Sequence, residues 1–336
     1  MNTDWIEWVR WCHADQSLDL IQATIYNLME LTQRSRLAQP VIVSNVTDLE
    51  YTAAGYIAIH PGALGAIGSL RCQADNELSV SDRRPVEITM LERVLRTLCQ
   101  SAMEQGAEIV QAISPLTVSC DDRTDTITFE PFTSVREAAL SLVLQPIAKL
   151  VQMEWRIRNP PTGQGTLGST LGSPSCSTDA AQLRFVPFDC IDESQWHQVL
   201  DDSYIDTLDV PELNGRRGTA STLEGYASLI HGHPRTWWVV QEKDQHVGCL
   251  LLSPVDEGHV ELTYLGLVRS KRGKGYSHGF LRFVEDWCEA NDVTRVTVAV
   301  DIRNVPALRL YQHWGFQVKG FVQAWVNGPH HYPHLI

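Results

Sequence analysis

One short segment of the chain, Arg272-Gly-Lys-Gly-Tyr-Ser277, lies between an apolar run at 260–268 and an amphipathic run at 278–290. This order predicts a strand, a tight loop and the start of a helix. Glycine lets a backbone turn sharply and approach a ligand closely, and the first N–H groups of a helix have no intrahelical partner. Together with the helix dipole, these groups bind phosphate, so the segment predicts a phosphate site within an α/β fold.

A second patterned segment follows this loop. It reads Asn304-Val-Pro-Ala-Leu-Arg-Leu-Tyr311 and continues to Trp314-Gly-Phe316. Pro306 suits the first turn of a helix, and Asn304 just before it is a candidate to cap that helix, to bind a ligand, or to do both. The segment therefore predicts a helix at 306–313 and a strand at 316–326.

The charge and cysteine content restrict the class of protein. A net charge of −13 lacks the basic surface that binding to nucleic acid or to an anionic membrane requires, and it is compatible with an amine substrate. No apolar run is long enough to span a bilayer, and the N-terminus does not resemble a signal peptide. The 8 cysteines are scattered without a CxxC pair, which suits free thiols in a reducing compartment. These features predict a cytoplasmic protein.

Residues 159–178 are rich in glycine, serine, threonine and proline. Such a segment buries too little apolar area to offset the entropy of ordering, which predicts a flexible linker. The chain would then divide into an N-terminal domain at 1–158, a linker at 159–180 and a C-terminal domain at 181–336.

The C-terminal domain has the pattern of a mixed α/β sheet, with antiparallel strands first and then strand–helix–strand–helix–strand. Ser221, with Glu224 three residues on, is predicted to cap its second helix. The predicted strands are 183–188, 236–241, 247–253, 259–269, 293–300 and 316–326, and the predicted helices are 193–204, 222–230, 278–290 and 306–313.

The N-terminal domain shows a weaker version of this order. A strand at 55–61 is predicted to enter a glycine-rich loop, Gly62 to Gly68, followed by a helix at 91–105 and a strand at 108–113. We interpret this order as a diverged internal duplication. The alternative is that any α/β domain contains strand, loop, helix and strand.

The two C-terminal segments resemble the signatures of the GCN5-related N-acetyltransferases, the GNAT family. The loop resembles the family's acyl-CoA pyrophosphate pattern, with serine where glycine or alanine is commoner, and the resemblance spans about residues 182–327. In its architecture, a tandem chain with a degenerate first half also resembles mycothiol synthase-type proteins. The loop matches are Arg272, Gly273, Gly275 and Ser277, and the later matches are Asn304, Ala307, Leu310, Tyr311, Gly315 and Phe316.

The resemblance implies a GNAT fold, acetyl-CoA as cosubstrate and transfer of an acetyl group to a primary amine of a small molecule or a protein. It assigns to CoA the backbone before the loop, the loop itself and the following helix. The side chains of Arg272 and Lys274 would either contact phosphate or remain solvated. The residues assigned to CoA are Leu267, Val268, Arg269, Arg272, Gly273, Lys274, Gly275, Tyr276, Ser277, Asn304, Ala307 and Tyr311.

Two residues are candidates for proton transfer. In the family, the tyrosine matching Tyr311 protonates the leaving thiolate; the alternative is a core tyrosine. Glu261 lies early on the strand before the loop, where family members carry a carboxylate that acts as a base. A carboxylate on a central strand needs a function or a partner because burying it alone is costly. The alternative for Glu261 is a strand-end residue that faces solvent.

The acceptor site is expected in the segment that starts at Tyr204. Asp206, Asp209 and Glu212 would attract an ammonium group, or they belong to an ordinary charged loop. Tyr264 would touch either the acceptor or the core. The tail at 330–334 is rich in histidine, but no carboxylate or cysteine there completes a site, so no metal is predicted.

The first half carries neither the arginine nor the Asn-x-x-Ala-x-x-Leu-Tyr pattern, so we expect it to have lost CoA binding and to have a structural or substrate-shaping role. Two other functions stay open at this point. One is a regulatory protein that binds acyl-CoA without turnover, and the other is a transferase for a longer acyl-CoA. The acceptor and the oligomeric state are not assigned by the sequence.

Overall fold

The computed structural model describes residues 5–35, 37, 39–48, 51–74, 80–121, 126–130, 134–157, 183–228 and 236–327. The chain forms two compact units. Unit 1 comprises Met1–Lys149, Gly215–Gly225 and Phe321–Ile336, and unit 2 comprises Leu150–Asn214 and Tyr226–Gly320. The predicted linker at 159–180 lies outside the described residues.

Unit 1 is a sheet with helices on both faces. Strands β1, β2 and β3 are antiparallel, whereas β3 and β4 are parallel and pair only at 64–66 with 109–111. Its strands are β1 Val41–Asp48, β2 Tyr51–His60, β3 Leu64–Ala74, β4 Ile109–Pro115 and the separate hairpin of β5 Val118–Asp121 and β6 Thr126–Phe129; its helices are α1 Trp5–Cys12, α2 Leu18–Arg34, α3 Val80–Glu104 and α4 Val135–Val143. Strand β7, Gln145–Arg156, has residues in both units.

The core of unit 1 follows from the burial of β2. Its alternate residues face opposite sides of the sheet, and both sets are covered. Ile57 and Ile59 pack with α3 residues such as Leu95 and Leu98, all at most 1% exposed. On the other face, Tyr56 packs in a second cluster with α1 and α2. A strand buried on both faces reads as a continuous apolar run, as β2 does.

Unit 2 contains β8 Arg184–Pro187, α5 Glu193–Tyr204, β9 Trp237–Glu242, β10 Gln245–Asp256, β11 His259–Leu267, α7 Tyr276–Ala290, β12 Arg295–Asp301 and α8 Val305–Trp314. Helix α6, Thr219–Ser228, and the last strand, β13 Gln317–Asn327, each have residues in both units. Strands β8 to β11 are antiparallel neighbours, and β11 pairs in parallel with β12 at 259–261 with 295–297. These bounds confirm the mixed α/β architecture that the sequence predicts.

The order of elements repeats between the two halves of the sequence. Each half has three consecutive antiparallel strands, then a crossover helix, a parallel strand, a shorter helix and a last strand; the second half adds β8 at its start, and the first half adds the β5–β6 hairpin. In both, the parallel pair spans only three residues on each strand before the ladder ends. This repeated order agrees with the predicted internal duplication.

The last strands depart from simple sequence order. Residues 150–156 of β7, from the first half, pair antiparallel with β12 in unit 2. Residues 322–327 of β13, from the second half, pair antiparallel with β4 in unit 1. Each unit therefore contains the last strand of the other half.

Two local predictions are wrong. Gly62 to Gly68 is not a loop before a helix: residues 61–63 form a turn, and Leu64–Ala74 is strand β3. Glycine here serves a hairpin, because Gly62 has φ +78° and a Cβ on it would come within 2.0 Å of the Ser221 carbonyl oxygen. Ser221 does not cap α6, which begins at Thr219; its Oγ donates to Glu108 at 3.0 Å.

Where the chain is described, none of its helices combines the length and the apolar character that crossing a membrane requires.

Candidate active site

The loop at 273–277, called the donor loop below, is open and has a preset backbone. Gly273 has φ +71° and Gly275 has φ +81°, a region that other L-residues rarely adopt. A Cβ on either glycine would meet no atom of the described chain within 4 Å. Gly275 is the N-cap of α7. Among the hydrogen bonds found for the described residues, none is donated by the amides of 273–277, so these N–H groups can bind an anion.

The side chain of Arg272 holds the start of the loop in place. Its Nε donates to the carbonyl of Leu267 at 3.0 Å, its Nη1 to that of Asp206 at 2.9 Å and its Nη2 to that of Ser203 at 2.7 Å. Each of its three nitrogens is thus bonded to backbone. Arg272 connects strand β11 and the end of α5 to the donor loop, a role that the sequence pattern alone did not indicate.

Glu242 at the end of β9 joins both ends of the loop. Its Oε2 accepts from Lys271 Nζ at 2.9 Å and from the Tyr276 hydroxyl at 2.7 Å. The hydrogen bond from Lys271, with that from Tyr276 next, lowers the pKa of Glu242. Sequence reasoning missed this residue because nothing local relates position 242 to positions 271 and 276. Lys274, in contrast, is exposed on the loop.

Strands β11 and β12 separate after Glu261, whose ladder partner is Thr297. Successive residues of an antiparallel strand direct their amide groups alternately toward and away from the neighbouring strand. The amide of Val268 donates to Val247 at 3.0 Å on the β10 side, so the amides of Leu265 and Leu267 face the opening. Sequence reasoning missed Leu265.

The backbone that the resemblance assigned to CoA is thus only partly free. The Val268 amide has its acceptor in β10, and the Leu267 carbonyl accepts from Arg272. The Arg269 carbonyl accepts from the Arg272 amide at 3.3 Å, and its guanidinium pairs with Asp206 at 2.9 Å. The amides of Leu265 and Leu267 are the donors that an oxyanion entering the opening would meet.

Helix α8 carries the second signature. Asn304 caps it, and its Oδ1 accepts from the Ala307 amide at 3.3 Å. Gly315, with φ +103°, ends it. Tyr311 is buried, and its ring lies 5.2 Å from that of Phe316. Burial, with the negative charge of Asp209 as a second cause, raises the pKa of Tyr311 well above that of a free tyrosine. Tyr311 therefore keeps its proton throughout the ordinary pH range.

Glu261 lies at the point where the two strands separate, and it is partly buried. Burial raises its pKa, and the nearby His259 partly offsets the rise. His259 is itself held in place, since its Nε2 lies 2.9 Å from Thr297 Oγ1. A carboxylate with a raised pKa binds a proton more tightly than a free one, which suits a general base.

Each of the three acidic residues expected at the acceptor site has an intramolecular partner. Asp206 pairs with Arg269 at 2.9 Å. Glu212 binds Arg303 with both oxygens, at 2.5 and 2.7 Å. Asp209 accepts from the amide of Asp301 at 2.9 Å. The charges of Asp206 and Glu212 are therefore compensated within the protein, whereas burial, with the charge of Asp301 as a further cause, raises the pKa of Asp209.

Tyr264 belongs to an aromatic cluster. Its hydroxyl lies 2.8 Å from Ser203 Oγ, and its ring contacts those of Tyr204 and Tyr226 at 5.3 and 6.1 Å between centroids. Burial raises its pKa well above that of a free tyrosine. These contacts favour the core alternative for Tyr264 over direct contact with an acceptor.

A cleft of about 440 Å³ opens between α7 and α8, beginning beside Ser277 of the donor loop. Arg309 and two histidines contribute to its lining and are all exposed. It is lined by Ser277, His278, Pro306, Arg309, Leu310 and His313.

The equivalent positions of the first half lack these groups. Helix α4 is capped by Ser134, as α8 is capped by Asn304. Counting from the two caps places Ser141 at the position of Tyr311, and its Oγ donates to the carbonyl of Ala138 at 2.7 Å. Residues 75–79, which separate β3 from α3 in the sequence, contain no glycine or arginine and lie outside the described residues.

Within the described ranges, no group of three or more histidine, cysteine or acidic side chains is arranged to hold a metal ion. The histidine-rich tail at 330–334 lies outside those ranges.

Comparison with known proteins identifies the domain that carries this site. Residues 197–316 match the model of the acetyltransferase (GNAT) family, so this part of the chain is a GNAT-family domain. No curated protein sequence matches the chain. The comparisons do not show the resemblance to mycothiol synthase.

Solved structures support the same fold. The glucosamine N-acetyltransferase region of a fungal multi-domain GH3 beta-N-acetylglucosaminidase is similar at 14% identity with a TM-score of 0.51, over 97% of this chain and 37% of that protein. A GCN5-related N-acetyltransferase of Sphaerobacter thermophilus shares 17% identity at TM-score 0.48, over 84% and 82% of the two chains. A tandem GNAT protein of the clavulanic acid pathway shares 11% identity at 0.45, over 90% and 88%. The first of these shows that the chain has a GNAT fold.

Proposed function

We propose that this protein transfers an acetyl group from acetyl-CoA to the primary amine of a small molecule or protein, at one site in the C-terminal domain, residues 181–336. The observation that carries the proposal is the open donor loop at the start of α7, beside strands that separate after Glu261. A preset row of N–H groups next to a gap in a sheet suits a long ligand with a phosphate part and an extended arm.

The donor is held in two parts. The amides of 273–277 bind the pyrophosphate, and the extended arm lies between β11 and β12, within reach of the motif residues Asn304 and Ala307 on α8. The cleft beside Ser277 receives the phosphorylated adenosine, with Arg309 supplying a positive charge for its 3′-phosphate.

The chemistry needs no covalent enzyme intermediate. The amine nitrogen attacks the thioester carbonyl, a C–N bond forms and the C–S bond breaks. The amides of Leu265 and Leu267 donate to the carbonyl oxygen as it becomes negative. Glu261, directly or through water, takes the proton that the amine loses, and Tyr311 gives its proton to the leaving thiolate. The raised pKa of Glu261 makes it a stronger base, and the raised pKa of Tyr311 keeps the phenol protonated until the thiolate leaves.

The first domain, residues 1–158, has a structural or substrate-shaping role in this proposal. The serine at the position of Tyr311 and the lack of glycine and arginine at 75–79 support that assignment. We place the enzyme in the cytoplasm, on the basis of its acidic composition and scattered cysteines.

The test is calorimetry with CoA and acetyl-CoA, followed by thiol release with a panel of small amines and lysine peptides. We expect acetyl-CoA binding and amine-dependent thiol release. Absence of both would overturn the proposal. Binding without release from any amine would favour a regulatory acyl-CoA-binding protein, and faster release from succinyl- or longer acyl-CoA would change the donor.

A further inference from the structure

The loop at 205–214, called the acceptor loop below, exchanges hydrogen bonds with the end of β12. The amide of Asp301 donates to Asp209 Oδ1 at 2.9 Å, and the amide of Val210 donates to Asp301 Oδ2 at 3.2 Å. Asp301 is fully buried at 0% exposure. Burying a carboxylate is costly unless it is paired and hydrogen-bonded, so the folded state needs these contacts to Asp301.

Arg303 completes the connection. Its guanidinium donates to both Asp301 oxygens, with Nη2 to Oδ2 at 2.6 Å, and binds both Glu212 oxygens. One planar guanidinium thus joins a carboxylate at the end of β12 to a carboxylate of the acceptor loop. Arginine suits this role because its donors form a rigid fork, which lysine does not provide.

The acceptor loop has a conformation that its own residues disfavour. Val210 has φ +42° and Asp206 has φ +50°, both in the left-handed region. A β-branched residue there is an outlier that persists only when its surroundings hold it. The backbone of Val210 is the part of the loop that Asp301 binds. Val210 is therefore both the strained residue and a residue at which Asp301 holds the loop.

The same loop influences the proposed acid. The negative charge of Asp209 adds to the rise in the pKa of Tyr311. Asn304, the cap of the helix that carries Tyr311, donates from its amide to the carbonyl of Asp301 at 2.9 Å. The acceptor loop and α8 are thus attached to the same short segment, 301–304.

We infer that Asp301 and Arg303 form a clasp that holds the acceptor loop in its strained conformation at the start of α8, and that this clasp sets the binding of the acceptor and not of the donor. The effect on acceptor binding rests on the proposed function, whereas the effect on the conformation of the acceptor loop does not. Both residues are positioning residues, since they act through the loop.

The loop itself is tested by hydrogen exchange of the full-length apoprotein, read on peptides covering 205–214. Glu212→Gln removes the charged partner on the loop and leaves buried Asp301 intact, and Arg303→Gln removes the guanidinium that joins Glu212 to Asp301. Arg295→Gln is the matched control, since Arg295 starts β12 and pairs with the exposed Asp256. We expect exchange at 205–214 to rise about tenfold in both clasp variants, with β9–β10 and the control unchanged.

Exchange at 205–214 equal to wild type in both variants would overturn the clasp, as would a rise spread equally over β9–β10. The kinetic arm measures the KM for the amine and the Kd for acetyl-CoA. We expect Glu212→Gln to raise the KM about threefold to tenfold with the Kd unchanged, and Arg303→Lys to recover part of the loss in Arg303→Gln. A raised Kd with unchanged KM would overturn the acceptor role. If the wild type shows no turnover, the proposed function fails, while hydrogen exchange still decides the clasp.

Discussion

The hydroxyl of Tyr276 donates a 2.7 Å hydrogen bond to the carboxylate of Glu242, which also accepts from Lys271 at 2.9 Å. A single carboxylate outside the glycine motif thus connects Lys271, two residues before the donor loop, with Tyr276, the first residue of α7. The loop's amides are held in a preset arrangement, so a ligand that binds them does not have to order the backbone.

Glu242→Gln should therefore weaken acetyl-CoA binding about threefold to tenfold, because the neutral amide replaces a charged acceptor for Lys271. Calorimetry checks this. The pKa of Glu242 is lowered, so its charged contact with Lys271 and Tyr276 is fully present above the ordinary pKa of a carboxyl group. This contact is lost as pH falls through the lowered pKa. Glu285→Gln is the control, because its pair with Arg282 lies elsewhere on α7. Equal affinity for acetyl-CoA in Glu242→Gln and Glu285→Gln would mean that Glu242 does not hold the donor loop for binding.

Gly275→Ala should abolish or greatly reduce CoA binding. Its φ of +81° costs an alanine about 1–2 kcal/mol, and the added methyl group projects into the space that the pyrophosphate would occupy. Gly106→Ala is a matched control, since Gly106 has φ +92° and a Cβ added there would meet no described atom within 4 Å. We expect similar losses of Tm in both variants but loss of CoA binding only at position 275. Normal CoA binding by Gly275→Ala would contradict the loop assignment.

Tyr311→Phe should lower kcat about 10²–10⁴-fold, the range for general acid–base catalysis, with little change in CoA affinity. Because its pKa is raised, Tyr311 stays protonated at alkaline pH, so it should cause no fall in kcat near pH 10, where a free tyrosine would ionise. Tyr56→Phe, at a buried tyrosine of unit 1, should change stability and not kcat. An unchanged kcat in Tyr311→Phe would remove Tyr311 from the mechanism.

Glu261→Gln should lower kcat/KM and remove the acidic limb of its pH profile. The wild type should lose activity as pH falls through the raised pKa of Glu261, because the protonated group accepts no proton. Glu261 affects the pH dependence of stability in the opposite direction to that of activity. The folded state binds this proton more tightly, so the stabilisation is complete below the ordinary pKa and is lost as pH rises through the raised value. Urea unfolding across that range should show a flatter dependence in Glu261→Gln, and identical dependence would argue against the raised pKa.

Arg309→Gln should weaken binding of CoA about threefold to tenfold and leave binding of 3′-dephospho-CoA unchanged, because only the former carries the 3′-phosphate. Arg282→Gln, on the exposed side of α7, is the control. Calorimetry with both ligands checks the result. Equal weakening for both ligands would mean that the cleft does not distinguish the phosphate.

Local chemistry explains why much of the site could be predicted. Glycines at positive φ, a helix N-terminus and the Asn304 cap are properties of short segments, and residues 273–277 and 304–315 have the conformations that their sequence favours. Gly62 shows the limit of this reasoning. The sequence predicts a loop before a helix there, but the positive φ of Gly62 serves a hairpin turn, since glycine suits both settings.

Contacts between distant segments could not be predicted. Position 242 reaches the donor loop, and Asp301 reaches Asp209, across separations of 34 and 92 residues. A lone acidic residue gives no sign of such a partner. The predicted role of Asp209 and Glu212 as free charges for an ammonium group overlooked their partners for this reason.

The sequence by itself determined the α/β class, the donor loop, the α8 cap and the position of Tyr311, because each depends on backbone preferences within a few residues. Only the tertiary structure decided that residues 150–156 pair with β12 and residues 322–327 with β4, that Glu242 and Arg272 hold the donor loop, and that segment 301–304 holds the acceptor loop. Strands with similar alternation can pair with several neighbours, and the choice among them depends on the burial and hydrogen bonding of the whole fold.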